Sequence, residues 1–465
     1  MSGLLAVILA AGQGKRMKSR LPKVLHPVAG RPLLHHSIAA AVEAGASRVV
    51  VVVSEETKSS VDAHVASEFP STPVVTVVQP SPRGTGDAAR VALDASGEDA
   101  DRVLVLCGDT PLIRASDCAP LVAALGDSAS MAVLSCELDD PRGYGRILRD
   151  GSGRVTGIVE DRDLSSERRG SLREVNAGVY AARADVLRAG LAGLRNDNAQ
   201  GEYYLTDVVA HAHSNGGAVA VKGSADALVG VNDRSQLAHA EEALFRRIAE
   251  RHRLAGVTVR GDARIDDTVT IGEDSTIEAG VRLRGKTKIG ASVLVDVGSV
   301  LTDATVGEGT KIHPYSVLEE CAVGPRALIG PFARVRPGSE IGEEAHVGNF
   351  VEAKKTKMGK GAKANHLAYL GDGDIGPGAN IGAGTIFCNY DGFTKSVTTI
   401  AEGAFIGSDS QLVAPVRIGV GAYVATGTTV TQDVPDDALA ISRTKQENKL
   451  GYASRIKRRL AAKKK

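Results

Sequence analysis

The chain contains no tryptophan, and only 3% of its residues are aromatic. A core of that composition has to be built from stacked Val, Ile and Leu rather than from large rings. Long apolar runs are also missing. None approaches the roughly 20 residues needed to cross a bilayer, which excludes a membrane partner through a spanning helix. The stretch from Leu4 to Ala11 is apolar but short, and no basic residue precedes it, so it reads as a buried strand and not as a signal peptide. Cysteines are sparse: Cys107, Cys118, Cys136, Cys321 and Cys388 are scattered, odd in number and without CxxC spacing. They read as reduced thiols of a cytosolic protein. An excess of one charge is lacking as well. The net charge is +1, and residues 455–465 alone hold seven Lys/Arg and no acid, so the remainder carries −6. That balance argues against a general nucleic-acid binder.

What the chain does have is length and repetition. Its 465 residues, 43% hydrophobic and 24% charged, suffice for two or more domains. Between Val257 and Val434 an aliphatic residue recurs every six positions. Ile265, Ile271, Ile277, Leu283, Ile289, Val295 and Leu301 are followed, after a step of five, by Val306, Ile312 and Leu318. After another step of five come Val323, Ile329, Val335, Ile341 and Val347, and a late block runs Ile400, Ile406, Leu412, Ile418, Val424 and Val430. A period of six fits neither an α-helix nor a two-residue strand alternation. It predicts one short strand and one corner, repeated, with about three repeats per triangular coil and roughly ten coils of parallel β-helix. The register is expected to fail between Val347 and Ile375, and again between Ile381 and Ile400. Insertions in a solenoid become loops on one face, often a binding face.

The first half alternates buried strands (Leu4–Leu9, Val49–Val53, Val74–Val78, Arg102–Leu106) with helical patterns such as Leu33–Ala44. This predicts a doubly wound α/β domain with ligands beyond the carboxyl ends of its strands. Gly12 and Gly14 follow the first strand, with Arg16 and Lys23 nearby. That turn fits a phosphate cradle closed by the N–H groups of a following helix, and equally any tight strand-to-helix turn. Asp109, just past the strand ending at Leu106, fits a Mg²⁺ ligand or a helix cap. In the register breaks, His366 lies near Lys354 and Tyr369, with Asn389 in the second break. A histidine there suits proton removal from an amine attacking a thioester, and also a surface or capping role.

The motifs taken together carry more. Leu9–Met17, Pro22-Lys23-Val24-Leu25, Gly84-Thr85-Gly86 and Gly108-Asp109 resemble the sugar-1-phosphate nucleotidyltransferases. Gly143–Arg146, Glu160, Asn176-Ala177-Gly178, Gly201–Asp207 and Gly230-Val231-Asn232, joined to the hexapeptide region, narrow the resemblance. The chain is similar over nearly its whole length to the bacterial bifunctional N-acetylglucosamine-1-phosphate uridylyltransferase/glucosamine-1-phosphate acetyltransferase family. The resemblance implies an α/β doubly wound nucleotidyltransferase domain (residues 1–232), a helical linker arm (233–254) and a left-handed parallel β-helix with a basic tail (255–465).

It further implies that Leu9, Ala10, Ala11 and Gly12 line the uridine nucleotide while Gln79, Gly84 and Thr85 read the uracil. Arg16 and Lys23 would hold the phosphates of UTP, and Asp109 and Asn232 would bind Mg²⁺. Gly145, Glu160, Asn176, Tyr204 and Thr206, with Asn232, would hold N-acetylglucosamine 1-phosphate. In the second domain His366 would be the general base, oriented by Asn389. Arg336, Lys354, Tyr369, Asn380 and Tyr390 would hold glucosamine 1-phosphate. Ala383, Asn389, Tyr390, Ser408, Thr426 and Arg443 would line acetyl-CoA. Such β-helices trimerise, with acetyl-transfer sites between subunits. The implied product is UDP-N-acetylglucosamine for cell-envelope synthesis. The alternative is a nucleotidyltransferase with a regulatory or trimerising β-helix.

Lys15, Asp87, Cys107 and Thr426 depart from the residues usual in that family, and Asp87 adds negative charge near the uracil loop. Leu237, Glu241, Leu244 and Ile248 mark the linker as a helix with one partly apolar face. The tail from Arg455 to Lys465 reads as solvated and disordered, or as a contact for coenzyme A phosphates or a neighbouring subunit.

Overall fold

The computed structural model describes residues 3–463, apart from Gln13, residues 98–99, 127–128, 166–168 and 170 and the side chains of residues 227 and 228. Gln13 of the glycine-rich turn, and Lys464 and Lys465 of the basic tail, lie outside the described residues. The chain forms two compact units, Met1–Ile248 and Ala249–Lys465.

The first unit is built on strands β1 (Gly3–Leu9), β2 (Arg48–Val53), β3 (Val74–Val78), β4 (Ala100–Cys107), β5 (Met131–Glu137), β6 (Glu174–Arg183) and β7 (Ala218–Lys222). They run in the order β7-β5-β6-β4-β1-β2-β3. Pairing is parallel from β4 through β3 and between β7 and β5, whereas β6 runs antiparallel to both β4 and β5. The continuous apolar run of β1 is explained by burial on both faces. Leu4, Ala6 and Ile8 join one core, while Leu5 and Val7 join the other. A hairpin of Arg146–Arg149 and Val155–Val159 extends the sheet beside β6.

The second unit is three stacked parallel sheets of 11, 10 and 9 strands, consistent with a left-handed β-helix of about ten coils. Ile277 pairs with Val295 and Val295 with Ile312, so a coil takes 18 or 17 residues. We number the faces by their first strands, Thr258–Val259, Arg264–Ile265 and Thr270–Ile271. Backbone N–H groups of one coil donate to the next: Thr276 to Val293 O at 2.8 Å, Lys311 to Ala327 O at 2.9 Å. A second buried column, not read from the sequence, lies two residues before each aliphatic one. There several Ser and Thr hydroxyls bond backbone groups of their own or the next coil, while those of Thr398 and Thr428 find no partner among the described residues. Thr310 Oγ1 donates to Gly324 O at 2.7 Å and accepts from Ala327 N at 3.1 Å.

The five-residue steps fall at the corner between the second and third faces. There the chain turns through Asp303 and Glu320, both at positive φ. The same device corrects the expectation of a first register break. Two further short steps, through Lys355 and Asp372, move the pattern off a count of six without breaking the coil. Ala353, Met358, Ala364 and Leu370 fill the inward slots between Val347 and Ile375, all buried, and the strands pair throughout. Only the second break is an insertion. Residues 389–397 form a loop between strands Ile386–Cys388 and Thr398–Ile400, at the second-to-third corner.

The segment expected as a linker forms the helix Arg234–Leu254. Within the first unit Ala240, Leu244 and Ile248 are buried, and Arg247 donates to Leu112 O at 2.7 Å and pairs with Asp226 at 2.9 Å. Within the second unit Val257 N donates to His252 O at 3.0 Å, which ties the last turn to the first coil. Residues 455–462 of the basic tail lie in the helix Tyr452–Ala462, which has no buried residue and so is solvated along its length. Ala, Arg, Lys and Leu are strong helix formers, and this segment consists largely of them.

Because each inward aliphatic residue is shared by the coils above and below, Leu318→Ala should destabilise the β-helix by about 2–5 kcal/mol. Denaturant unfolding of the full chain checks this, and an unshifted midpoint would contradict it.

Candidate active sites

The carboxyl ends of β1 and β4 open into a cleft of about 430 Å³. Leu9, Ala10, Ala11, Gly12, Lys23, Gln79, Gly84, Thr85 and Asp109 all line it, so it gathers the expected nucleotide residues, together with Pro82, Cys107 and Glu202. Gly14 takes φ 58°, and a Cβ there would lie 2.6 Å from the Lys23 side chain. The bare glycine is what lets Lys23 cross the turn into the cleft. Its ammonium pairs with Asp109 and donates to Asn232 Oδ1 at 3.2 Å. Val231 N donates to Asp109 O at 2.8 Å, which fixes the two oxygen-bearing residues to each other. Arg16 is exposed on a 3₁₀ turn, Lys15–Met17. No α-helix follows the glycine turn directly, contrary to expectation. Pro22 and Pro27 interrupt the chain, and the helix starts only at Leu33. Anion binding here therefore falls to loop N–H groups and mobile cations rather than to a helix terminus.

A second cleft of about 390 Å³ in the same unit includes Glu160, Asp163, Asn198, Tyr204 and Asp207. Of the residues expected for the sugar phosphate, Glu160 and Tyr204 line it, Gly145, Asn176 and Thr206 adjoin Glu160, and Asn232 stands instead beside Lys23 in the first cleft. Asn176 N donates to Gly145 O at 2.9 Å, a Cβ on Gly145 would lie 3.5 Å from the Glu160 carboxylate, and Thr206 Oγ1 donates to Glu160 Oε1 at 3.2 Å. Tyr204 Oη accepts from Gln200 at 2.9 Å. Burial pushes the Glu160 carboxyl above its ordinary range, although the Thr206 hydroxyl opposes this. The nucleotide and sugar residues are linked by Leu205 N, which donates to Thr85 Oγ1 at 3.1 Å. The Cys107 thiol is pushed up to about 12 by burial and the nearby Asp109 charge, so it stays protonated and supplies no nucleophile.

In the β-helix most of the expected residues fall on two corners. Asn349 pairs with His366, and the register carries that position to Ala383, Ser408 and Thr426 in successive coils. His366 and three of the six acetyl-CoA residues therefore form one column at the first-to-second corner, and Arg443 donates to Thr426 O. Arg336, Lys354 and Asn389 stand instead at the second-to-third corner. Arg336 donates to Glu352 at 2.7 Å, and Lys354 pairs with Asp372 at 3.0 Å. Asn389 Nδ2 also donates to Asp372, so within one chain its amide is given to that carboxylate and not to His366. A Cβ on Gly371 would lie 2.6 Å from Tyr369 Oη and 2.7 Å from Asn389 Nδ2, so bare Gly371 is what lets those groups meet. Asn380 lies on the first face, and Tyr390 is exposed in the 389–397 loop, its hydroxyl donating to Gly392 O at 2.6 Å.

The family described as the MobA-like NTP transferase domain matches residues 6–194. "Bifunctional protein GlmU" of Sorangium cellulosum (strain So ce56) is 58% identical over 470 residues, covering 99% of this chain and 98% of that protein. The protein of the same name from Anaeromyxobacter sp. (strain Fw109-5) is 51% identical, covering 98% and 93%, and that from Alkalilimnicola ehrlichii (strain ATCC BAA-1101 / DSM 17681 / MLHE-1) is 46% identical, covering 96% and 95%. The chain belongs to the bifunctional GlmU family.

For a GlmU-family chain, two parts of the site went unread in the sequence. Asp372 pins both Lys354 and Asn389. Burial raises its pKa, but the Lys354 ammonium and the Asn389 amide outweigh that and hold it below the ordinary carboxylate range. Lys395, in the loop, is lowered chiefly by the neighbouring Lys354. Two ammonium groups thus share one carboxylate at this corner, which leaves positive charge for an anion. The signal was present only as a Lys-Lys pair at 354–355 and an acid one coil later, which sequence spacing alone does not connect.

Glu160 also yields a pH test. Its folded-state pKa is raised, so its stabilising effect is fully present below the unfolded pKa and is lost as pH rises through the folded value. Glu160→Gln should therefore raise the thermal midpoint at neutral pH, and the gain should vanish below the carboxylate range. Melting curves across pH check this, and a gain that grew on acidification would contradict it.

Proposed function

We propose that the chain makes UDP-N-acetylglucosamine in two steps, each in its own unit. The β-helix, residues 255–465, transfers acetyl from acetyl-CoA to glucosamine 1-phosphate. The α/β region, residues 1–232, then couples the product to UTP and releases pyrophosphate, and residues 233–254 connect the two. One observation carries this reading. Most of the residues assigned to uridylyl transfer line or adjoin two clefts of one unit, and most of those assigned to acetyl transfer stand on two corners of the other.

In uridylyl transfer a phosphate oxygen of the sugar attacks the α-phosphorus of UTP in line. Positioning and charge neutralisation dominate such a step. Lys23 and Arg16 are assigned to the phosphates of UTP, and Glu160, Thr206 and Asn176 to the sugar. Gln79, Gly84 and Thr85 are assigned to the uracil. Asp109 and Asn232 offer one carboxylate and one amide oxygen, hard donors already gathered around the Lys23 cation, and this set fits Mg²⁺. When bound, the ion supplies neutralisation of phosphate charge.

In acetyl transfer His366 takes a proton from the sugar amine as it attacks the thioester carbonyl, and coenzyme A leaves as the thiol. Lys354, with Arg336 and Tyr369, holds the sugar phosphate. His366 and Asn389 occupy different corners of one prism, so we infer that a complete site combines two copies, in a homotrimer. An exposed column supports this: Tyr315, Phe332 and Phe350 stack at 5.4 and 5.3 Å along the corner that leads to Leu367, and all four are about half exposed in the single chain. Each sits at positive φ, a strained backbone for such side chains, which points to a functional surface. Five unpaired cysteines support a cytoplasmic location, and among the described residues no helix is long and apolar enough to cross a membrane.

His366→Ala should lower acetyl transfer by a factor on the order of 10² or more while uridylyl transfer persists. Asp109→Ala should remove Mg²⁺-dependent pyrophosphate release and spare acetyl transfer. Thiol and pyrophosphate release, assayed separately, check both. Joint loss of the two activities in a folded variant would refute separate sites.

A further inference from the structure

Asp87, read in the sequence as added negative charge near the uracil loop, has a specific set of partners in the structure. Its side chain is fully buried in the first turn of the helix Thr85–Ser96, beside the nucleotide cleft. Oδ1 faces two guanidinium groups, Arg83 at 3.0 Å and Arg90 at 2.6 Å. Oδ2 accepts from Gln79 Nε2 at 2.9 Å, and the same Nε2 donates to Gly84 O at 3.3 Å. A carboxylate and a backbone carbonyl only accept. Both amide hydrogens of Gln79 are therefore committed, and its carboxamide has a single orientation. Among the described contacts none donates to Gln79 Oε1, and Gln79 lines the cleft.

We propose that Asp87 is a positioning residue for nucleotide choice. It locks Gln79 so that the base edge meets a carbonyl oxygen rather than an amide N–H. That oxygen accepts the imide N–H of uracil and finds only a ring-nitrogen acceptor on cytosine. The two arginines have a part as well: they neutralise a carboxylate that would otherwise repel the phosphates of the incoming nucleotide. The inference rests on the assignment of UTP made above.

The test is the ratio of kcat/KM for UTP to that for CTP, measured on one preparation so that the amount of folded enzyme cancels. In Asp87→Asn the two arginines hold the new carbonyl oxygen and turn the new amide towards Gln79, which must rotate. The UTP-over-CTP ratio should fall by about ten-fold or more. Gln79→Ala should lower the ratio by itself, and adding Asp87→Asn to it should change the ratio no further. A purely structural role would lower both rates together and leave the ratio unmoved, which would overturn the proposal. Asp87→Ser, which also removes the acceptor for Gln79, is read the same way if the Asn variant does not fold. A wild-type enzyme without preference for UTP would instead overturn the nucleotide assignment itself.

Discussion

Every backbone N–H in a strand of the β-helix must find its acceptor in the neighbouring coil, because strands of two or three residues cannot stabilise themselves. That requirement forces coil onto coil at the spacing of a β-ladder, about 4.8 Å. The inward Ile, Val and Leu residues then stack without gaps, and buried Ser and Thr hydroxyls close the bonds that the corners leave open. Outward residues inherit the same spacing at no cost to the core. A column such as His366, Ala383, Ser408 and Thr426 follows from the register alone. So does the stacking of Arg336 on Lys354 one corner away, a column that continues to Gly371 and Cys388, with Asn389 one residue further on at the start of the inserted loop.

The α/β unit solves a related problem by different means. Its central strands are buried on both faces, so reactive groups can be placed only where those strands end. There a lysine, a carboxylate and an amide share a partly exposed cluster, and each charge has a partner. Burying an ion pair gains little stability by itself. Its value here is to hold polar groups that exchange partners when a charged nucleotide and a cation arrive. Buried Asp87 follows the same logic, since two arginines and an amide satisfy it completely.

Much of this was legible in the sequence because it rests on periodicity or on a strand end. The inward hexad positions and the strands read as ending at Leu9 and Leu106 needed no tertiary information beyond that, whereas the cleft-lining residues came from the family resemblance. Three features did not yield to it. Five-residue corners shift the count, so a coil with Ala353, Met358, Ala364 and Leu370 inside looked like a break. The helix expected after Gly14 was displaced by prolines to Leu33, because the turn had been read from glycines alone. Asp372 and Asp87 act through partners 18 residues away or across a turn, and composition does not reveal such contacts. Asp87 had looked like unwanted charge near the base, and its neighbours show instead that the charge is neutralised.

The account's central claim is that one chain carries two independent chemistries joined by a diffusing intermediate. The most direct measurement mixes two separately purified variants, Asp109→Ala and His366→Ala, with glucosamine 1-phosphate, acetyl-CoA, UTP and Mg²⁺. The mixture should form UDP-N-acetylglucosamine after a lag, while neither variant alone does so. A mixture that stays silent, although each partner retains its own half-reaction, would contradict the claim.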